Sequence, residues 1–303
     1  MKPFFLACTL ALLAAPAYAK QLNVVATITD FGALAQEIGG DKVKVTSIAK
    51  GTEDSHFVDA RPSFVKVLNQ ADLLIEGGAE LEIGWLPPLV NGARNARILA
   101  DAPGHVVLGK YLRLIEVPTG PLDRSMGDIH PLGNPHFWLD PENGKVMARV
   151  LTDTLSRLDP GDSAEFIHNY QSFTNRLDHK MIEWTKTMAP FRGTKVLSYH
   201  KSFDYLLNRF GLELAGTIES KPGIEPSPAY INGLIQRLKP AGVKLVIIEP
   251  YRPRKAAEYI AQALSAKLLV LPEKVQGNPQ VKDYIGLFDY DISQIAADLK
   301  DVK

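Results

Sequence analysis

Histidine is the residue type in this chain best suited to chemistry, and three of its seven histidines stand in pointed contexts. His56 lies in Glu53-Asp54-Ser55-His56-Phe57, just ahead of a helix that begins near Arg61-Pro62-Ser63. His136 lies in Gly133-Asn134-Pro135-His136-Phe137-Trp138-Leu139-Asp140-Pro141, and His200 follows the strand-like Val196-Leu197-Ser198-Tyr199. Strand ends and helix starts are where α/β proteins place ligand groups. A neutral imidazole suits Zn²⁺ and other borderline transition metals. The three are far apart in sequence, so spacing alone does not bring them together.

The other candidates are weaker. His130 sits in the Ser125–Gly133 loop, from which it could guard or feed a site. His168 and His179 lie off the apolar stripe of a long helix and read as solvated, and His105 reads as structural. Glu249 and Glu273 each leave an apolar strand at its carboxyl end, as ligands or as strand-end ion pairs. Glu225, in Glu225-Pro226-Ser227-Pro228, belongs to a helix start capped by Ser227. There is no HExxH, no phosphate-binding G-x-x-x-x-G-K-[ST] loop and no G-x-S-x-G elbow. Gly39-Gly40-Asp41-Lys42 is a helix stop rather than a phosphate loop.

The elements that must position these residues alternate. Strands are predicted at Leu22–Ile28, Lys44–Ile48, Asp72–Ile75, Val106–Leu108 and Phe137–Leu139. Helices are predicted from Asp30, as a cap, to Gly39-Gly40, then over Ser63–Gln70, Glu80–Leu89 and Asn143–Leu158. A long helix follows Asp162, its N-cap, with Glu165 three residues on. Phe166, Tyr170, Phe173, Leu177, Met181, Trp184 and Met188 recur every three or four residues on one face of it, until Pro190. Beyond it come strands at Lys195–Tyr199, Glu213–Ile218, Val243–Ile248 and Leu268–Leu271. Helices are expected there at Ser202–Phe210, Pro228–Leu238, Lys255–Leu264 and Val281–Leu299. The alternation predicts an α/β fold of two parallel-sheet lobes, with a ligand cleft between them. The boundaries read as a 1–19 leader, an N-terminal lobe over 20–160, a linking helix over 161–189 and a C-terminal lobe over 190–303.

Composition excludes several classes. Lys+Arg and Asp+Glu both number 34, which gives no basic footprint for nucleic acid. The single cysteine, Cys8, allows no intrachain disulfide and no cysteine-based metal cluster. Lys2, the apolar run Phe4–Ala15 and Pro16-Ala17-Tyr18-Ala19 read as a signal peptide cleaved between Ala19 and Lys20. That run is too short to span a membrane. The expected product is a soluble periplasmic protein, not itself membrane-spanning.

The chain resembles the periplasmic solute-binding proteins of bacterial zinc and manganese ABC transporters. Four stretches carry the resemblance: Ile38–Ile48, His56 through Ala71-Asp72-Leu73-Leu74 to Gly77-Gly78 and Leu81-Glu82, Asn134–Pro141, and Tyr199-His200-Lys201-Ser202-Phe203 with Phe210-Gly211-Leu212 and Glu225-Pro226-Ser227-Pro228. The resemblance implies two α/β lobes joined by a single long rigid helix and a metal held between them. The implied ligands are His56, His136, His200 and, by alignment, Glu273. Aspartate is usual at that last position, serine at Ser55 replaces a common proline, and the histidine-rich loop of many zinc members is missing. Three histidines favour zinc over manganese, whose carriers tend to have a carboxylate in place of the third.

Three imidazoles and one carboxylate fill the zinc tetrahedron and leave no open position for a catalytic water. The expected role is therefore high-affinity zinc binding and delivery to an inner-membrane permease by a monomer, without enzymatic activity. A manganese or iron carrier of the same fold, or a secreted zinc hydrolase with Glu249 or Glu273 as base, is the alternative. Asp54 and Asp140 are expected to orient His56 and His136.

Overall fold

The computed structural model describes residues 21–121, 127 and 130–301. The expected signal peptide, Cys8, the Ala19/Lys20 cleavage site and most of the stretch 122–129 lie outside these described residues.

Two four-stranded sheets are built alike. The first pairs β1 (Leu22–Ala26), β2 (Val43–Ser47), β3 (Leu73–Glu76) and β4 (His105–Val107) in the order β2-β1-β3-β4, all parallel. The second pairs β5 (Lys195–Ser198), β6 (Glu213–Thr217), β7 (Leu245–Ile248) and β8 (Lys267–Val270) in the order β6-β5-β7-β8, again all parallel. Strand interiors such as Leu245-Val246-Ile247-Ile248 are buried throughout, as expected of strands covered by helices on both faces. In each sheet the chain leaves the first strand in one direction and later returns on its other side. The crevice at that switch, between β1 and β3 and between β5 and β7, opens at the strands' carboxyl ends. His200 follows β5 and Glu249 follows β7, so both stand at the second crevice.

The helices of the first half are α1 (Thr29–Gly39), α2 (Pro62–Asn69), α3 (Leu86–Ala93) and α4 (Pro141–Leu158). After α5 (Ser163–Met188) come α6 (Asp204–Phe210), α7 (Pro228–Leu238), α8 (Arg254–Leu264) and α9 (Tyr284–Asp301). Helix α5 has 26 residues, a length of about 39 Å at 1.5 Å per residue. Five members of its expected stripe are buried: Phe166, Phe173, Leu177, Trp184 and Met188. Tyr170 and Met181 are partly buried against the same core. The stripe packs on α1 and α4 of the first lobe and on α9. Each fully buried side chain of this size contributes about 1.5–3 kcal/mol, so α5 is clamped along its length.

Four local expectations are corrected. Phe137–Leu139 forms a short 3₁₀ turn rather than a strand, because Asp140 must cap α4 by accepting from the Glu142 amide at 3.0 Å. The helix expected from Glu80 starts at Leu86, since Ala79 and Glu80 take left-handed backbone angles (φ 54° and 65°). Asp30 lies inside the first turn of α1, with Ile28 at the cap. Asp162 holds the N-cap position of α5 but makes no capping hydrogen bond and instead pairs with Lys42 at 3.4 Å.

The two lobes meet along a hydrogen-bonded seam. Trp138 Nε1 donates to the Glu273 carbonyl (2.7 Å), Thr29 Oγ1 to the Val275 carbonyl (2.7 Å) and Lys274 Nζ to the Glu53 carbonyl (2.7 Å). The backbones approach so closely at Gly51 that a Cβ there would lie 2.3 Å from the Val275 carbonyl oxygen.

Behind this seam, Asp291 of α9 is fully buried, and neither carboxylate oxygen has a hydrogen-bond partner. Burial, with the charge of Asp30 second, pushes its carboxyl well above the usual range. A carboxyl raised in the folded state binds more protons there than in the unfolded chain, so stability falls as pH rises past its ordinary value near 4. Asp291→Asn removes that fall. Thermal melts should show the variant gaining on the parent between pH 5 and pH 8, and a constant difference would refute this account.

Candidate metal centre

His56, His136 and His200 converge in the cleft. Their ring centroids are 5.1, 5.2 and 5.4 Å apart pairwise, and one ring nitrogen of each lies within 4.8 Å of the others. All three are buried. His56 comes from the β2–α2 connection, His136 from the turn before α4, and His200 from the β5–α6 connection, so both lobes contribute.

Each ring is held by its Nδ1. His56 Nδ1 meets Asp54 Oδ1 at 2.8 Å, and the same oxygen accepts from the His56 amide at 3.0 Å. His136 repeats the device with Asn134, whose Oδ1 takes both Nδ1 and the His136 amide at 2.9 Å. The Asn134 amide nitrogen donates to the Lys201 carbonyl and to Glu116, which fixes the oxygen as the acceptor. His200 Nδ1 meets Glu219 Oε2 at 2.8 Å. In every case the partner accepts, so Nδ1 carries a proton, and in the neutral ring Nε2 presents its lone pair to the cleft. Such outer partners set ring orientation and raise ligand basicity.

The expected role of Asp140 toward His136 is therefore not found. Its oxygens accept from Arg209 at 2.7 and 2.6 Å, and Asn134 does the orienting. The spacing of Asn134 from His136 equals that of Asp54 from His56, and this repeat was the available signal. Glu219 carries no local signal, because it reaches His200 from the end of β6.

Arg252 ties these partners together. Its guanidinium lies 2.9 Å from Glu219, 3.3 Å from Asp54 and 3.7 Å from Glu249. It stacks over the Tyr199 and Tyr251 rings at 5.3 Å. Although burial opposes the ionised form, the His56 hydrogen bond and the charges of His56 and Arg252 hold the Asp54 carboxyl well below the usual range. Burial likewise works against a His200 cation, but the hydrogen bond and charge of Glu219 outweigh it and raise His200 above the ordinary value. His136 goes the other way, lowered by burial and by the neighbouring imidazoles.

The carboxylates that remain are differently placed. Glu273 is buried beside the cleft, but it is not among the side chains whose ligating atoms gather within 4.8 Å. Its Oε1 accepts from Lys274 Nζ and from the Tyr251 hydroxyl (2.9 Å), while Oε2 has no hydrogen-bond partner. Glu249 accepts from the Ser202 hydroxyl and is raised by burial and by Glu273. His130 stands at the cluster's edge, half-buried, with Nε2 3.1 Å from His56 Nε2. Burial, then His56, lowers it to about 3. His105 pairs with Glu76 at 2.8 Å, away from the cluster.

The family model for the periplasmic zinc-uptake complex component A (ZnuA) matches residues 24–298. The high-affinity zinc uptake system protein ZnuA of Brucella abortus is 30% identical over 166 residues, which cover 55% of this chain and 49% of that one. The chain thus matches about half the length of that relative. The manganese ABC transporter substrate-binding lipoprotein PsaA of Streptococcus pneumoniae is 25% identical over 92% of this chain and 90% of its own. A crystal structure of ZnuA superposes with a TM-score of 0.74 at 23% identity, covering 92% of this chain and 99% of that one. A metal-free periplasmic metal-binding protein of Candidatus Liberibacter asiaticus gives 0.76 at 17%, covering 92% and 100%. The chain belongs to the zinc-uptake component A family.

Two outcomes are expected of the site. If the three imidazoles hold a metal ion, removing the His136 orienter with Asn134→Ala should weaken its binding about 10–100-fold, as for other outer-ligand losses. Competition titration against a zinc chelator measures it, and unchanged affinity would refute the orienting role. Acidification should also weaken binding, because a metal must displace any ligand proton. His200 is the raised group, so the loss begins above the ordinary histidine value of about 6.5 and steepens to about tenfold per pH unit. His136, lowered, adds nothing until far lower pH. Affinity independent of pH between 5 and 8 would refute this.

Proposed function

We propose that this member of the zinc-uptake component A family is a periplasmic carrier that binds Zn²⁺ between its lobes and delivers it to the permease of an ABC transporter. The observation that carries the reading is the convergence of three imidazoles, each with Nδ1 fixed by an acceptor and Nε2 free to ligate. His56, His136 and His200 are the proposed histidine ligands. Glu273 is the proposed fourth: its Oε2 is a buried acceptor without a partner, and turning it to the ion would complete a tetrahedron. The proposed protein is a monomer with no enzymatic activity, exported by a signal peptide cleaved between Ala19 and Lys20.

The donor set supports zinc over manganese. Three neutral nitrogens suit borderline metals, whereas Mn²⁺ favours carboxylate, carbonyl and water oxygen. Zinc also stands above manganese in intrinsic affinity for a nitrogen site. A filled tetrahedron argues against hydrolysis, since a catalytic zinc keeps one position for water. Among the described residues no helix is long and apolar enough to cross a membrane, so transport across the bilayer falls to a partner.

Calorimetric titration of the metal-stripped protein tests the reading. One zinc per chain, manganese weaker by about 100-fold or more, and loss of tight binding in His200→Ala are expected. Glu273→Ala should keep the stoichiometry and weaken zinc about 10–100-fold. Preference for manganese would keep the carrier and overturn the choice of metal; unchanged affinity in Glu273→Ala would remove that residue as a ligand.

A further inference from the structure

The two carboxylate oxygens of Glu273 stand in different surroundings. Oε1 accepts twice, from Lys274 Nζ and from the Tyr251 hydroxyl at 2.9 Å. Oε2 is buried and has no hydrogen-bond partner. Lys274 is itself fully buried, and its Nζ also donates to the Glu53 carbonyl at 2.7 Å. That nitrogen stands 5.3 Å from the centre of the Tyr251 ring.

The backbone that carries Glu273 and Lys274 is pinned from the first lobe. The Glu273 carbonyl accepts from Trp138 Nε1 at 2.7 Å. Two residues on, the Val275 amide donates to both Asp30 oxygens at 3.3 Å, and the Val275 carbonyl accepts from the Thr29 hydroxyl at 2.7 Å. Glu273 therefore adjusts by pivoting its side chain about the anchored Oε1, which leaves Oε2 as the oxygen free to reach an ion. A grasp with both oxygens would strip the two donors from Oε1. Lys274 Nζ, without exposure, would then keep the Glu53 carbonyl alone. Buried donors that lose their acceptors are costly.

We propose that Lys274 and Tyr251 set the metal preference of the site by holding Glu273 to a single ligating oxygen. This rests on the reading that Glu273 is the fourth ligand. With three imidazoles, one oxygen makes four donors, the tetrahedral set that Zn²⁺ takes. A second oxygen would make a fifth donor and move the shell toward the octahedral, oxygen-rich surroundings that Mn²⁺ takes. Lys274 and Tyr251 are positioning residues, and what they fix is the number of donors. Their loss should therefore change the ratio of zinc to manganese affinity. Loss of a positive charge near the cleft would by itself act on both divalent ions alike and leave that ratio unchanged.

Calorimetric titration of the metal-stripped protein with Zn²⁺ and with Mn²⁺ tests this. The proteins compared are the parent, Lys274→Met, Tyr251→Phe, Glu273→Ala, and Lys274→Met combined with Glu273→Ala. Methionine nearly matches the length of lysine without a donor, and phenylalanine keeps the ring that stacks on Arg252 and lacks the hydroxyl. The zinc-to-manganese ratio should narrow about tenfold in Lys274→Met, the low end of an outer-partner loss, and less in Tyr251→Phe. Adding Lys274→Met to Glu273→Ala should narrow it no further, because the carboxylate through which Lys274 acts is gone. The parent ratio kept in both single variants would overturn the proposal. An equal narrowing by Lys274→Met with and without Glu273 would overturn it too. In both of those cases, weaker zinc binding by Glu273→Ala leaves the fourth-ligand reading standing. Zinc affinity unchanged in Glu273→Ala removes that reading and the proposal together. If Lys274→Met does not fold, Tyr251→Phe decides alone, and an unchanged ratio there overturns the proposal.

Discussion

The site depends on one buried guanidinium. Arg252 neutralises Asp54 and Glu219, the carboxylates that orient His56 and His200, and it lies beside the buried Glu249. Three carboxylates gathered in a low-dielectric cleft would otherwise repel each other and take up protons. The Arg252 charge beside Asp54 helps hold that carboxyl as an acceptor for the His56 ring. Asp54 and Glu219 come from opposite lobes, so the same cation also fastens the lobes behind the three imidazoles.

Rigidity elsewhere shapes how the cleft can open. Helix α5 is buried along one face against both lobes, and the seam from Trp138 to Lys274 adds directional bonds across the interface. The close approach at Gly51 leaves no slack in that seam. Wide hinge closure of the lobes would break these contacts together. The smaller motions available are those of side chains and of the connections that bear His56 and His200. A cleft of this build suits local rearrangement rather than a closing jaw.

The electrostatics of His130, His136 and His200 differ. His200, beside Glu219, is raised, and His136 and His130 are lowered by burial and by their neighbours. The ring that binds a proton more readily is His200, which faces Glu219, while His136 and His130 beside it in the same cavity are held toward the neutral form.

Much of the fold was legible because periodicity and caps are local. All four strands of the second lobe, the long helix and the Ser227 cap of α7 follow from apolar runs, spacing and one side chain. Phe137–Leu139 misled because aromatic and apolar residues suit a strand and a buried turn equally, and the demand of α4 for a cap decided between them. Glu80 misled because left-handed backbone at two non-glycine residues has no sequence signal.

The sequence by itself determined which side chains could ligate a metal, and that they stand in loops at strand and helix ends. It also determined the Asp54 acceptor, two residues before His56. Only the tertiary structure decided that His56, His136 and His200 meet, that Asn134 and Glu219 rather than Asp140 orient two of them, and that Glu273 rests against Lys274. The physical reason is the reach of each interaction. Hydrophobic period and capping act within a few residues, whereas the pairing of distant polar groups waits on sheet order and on how two lobes dock.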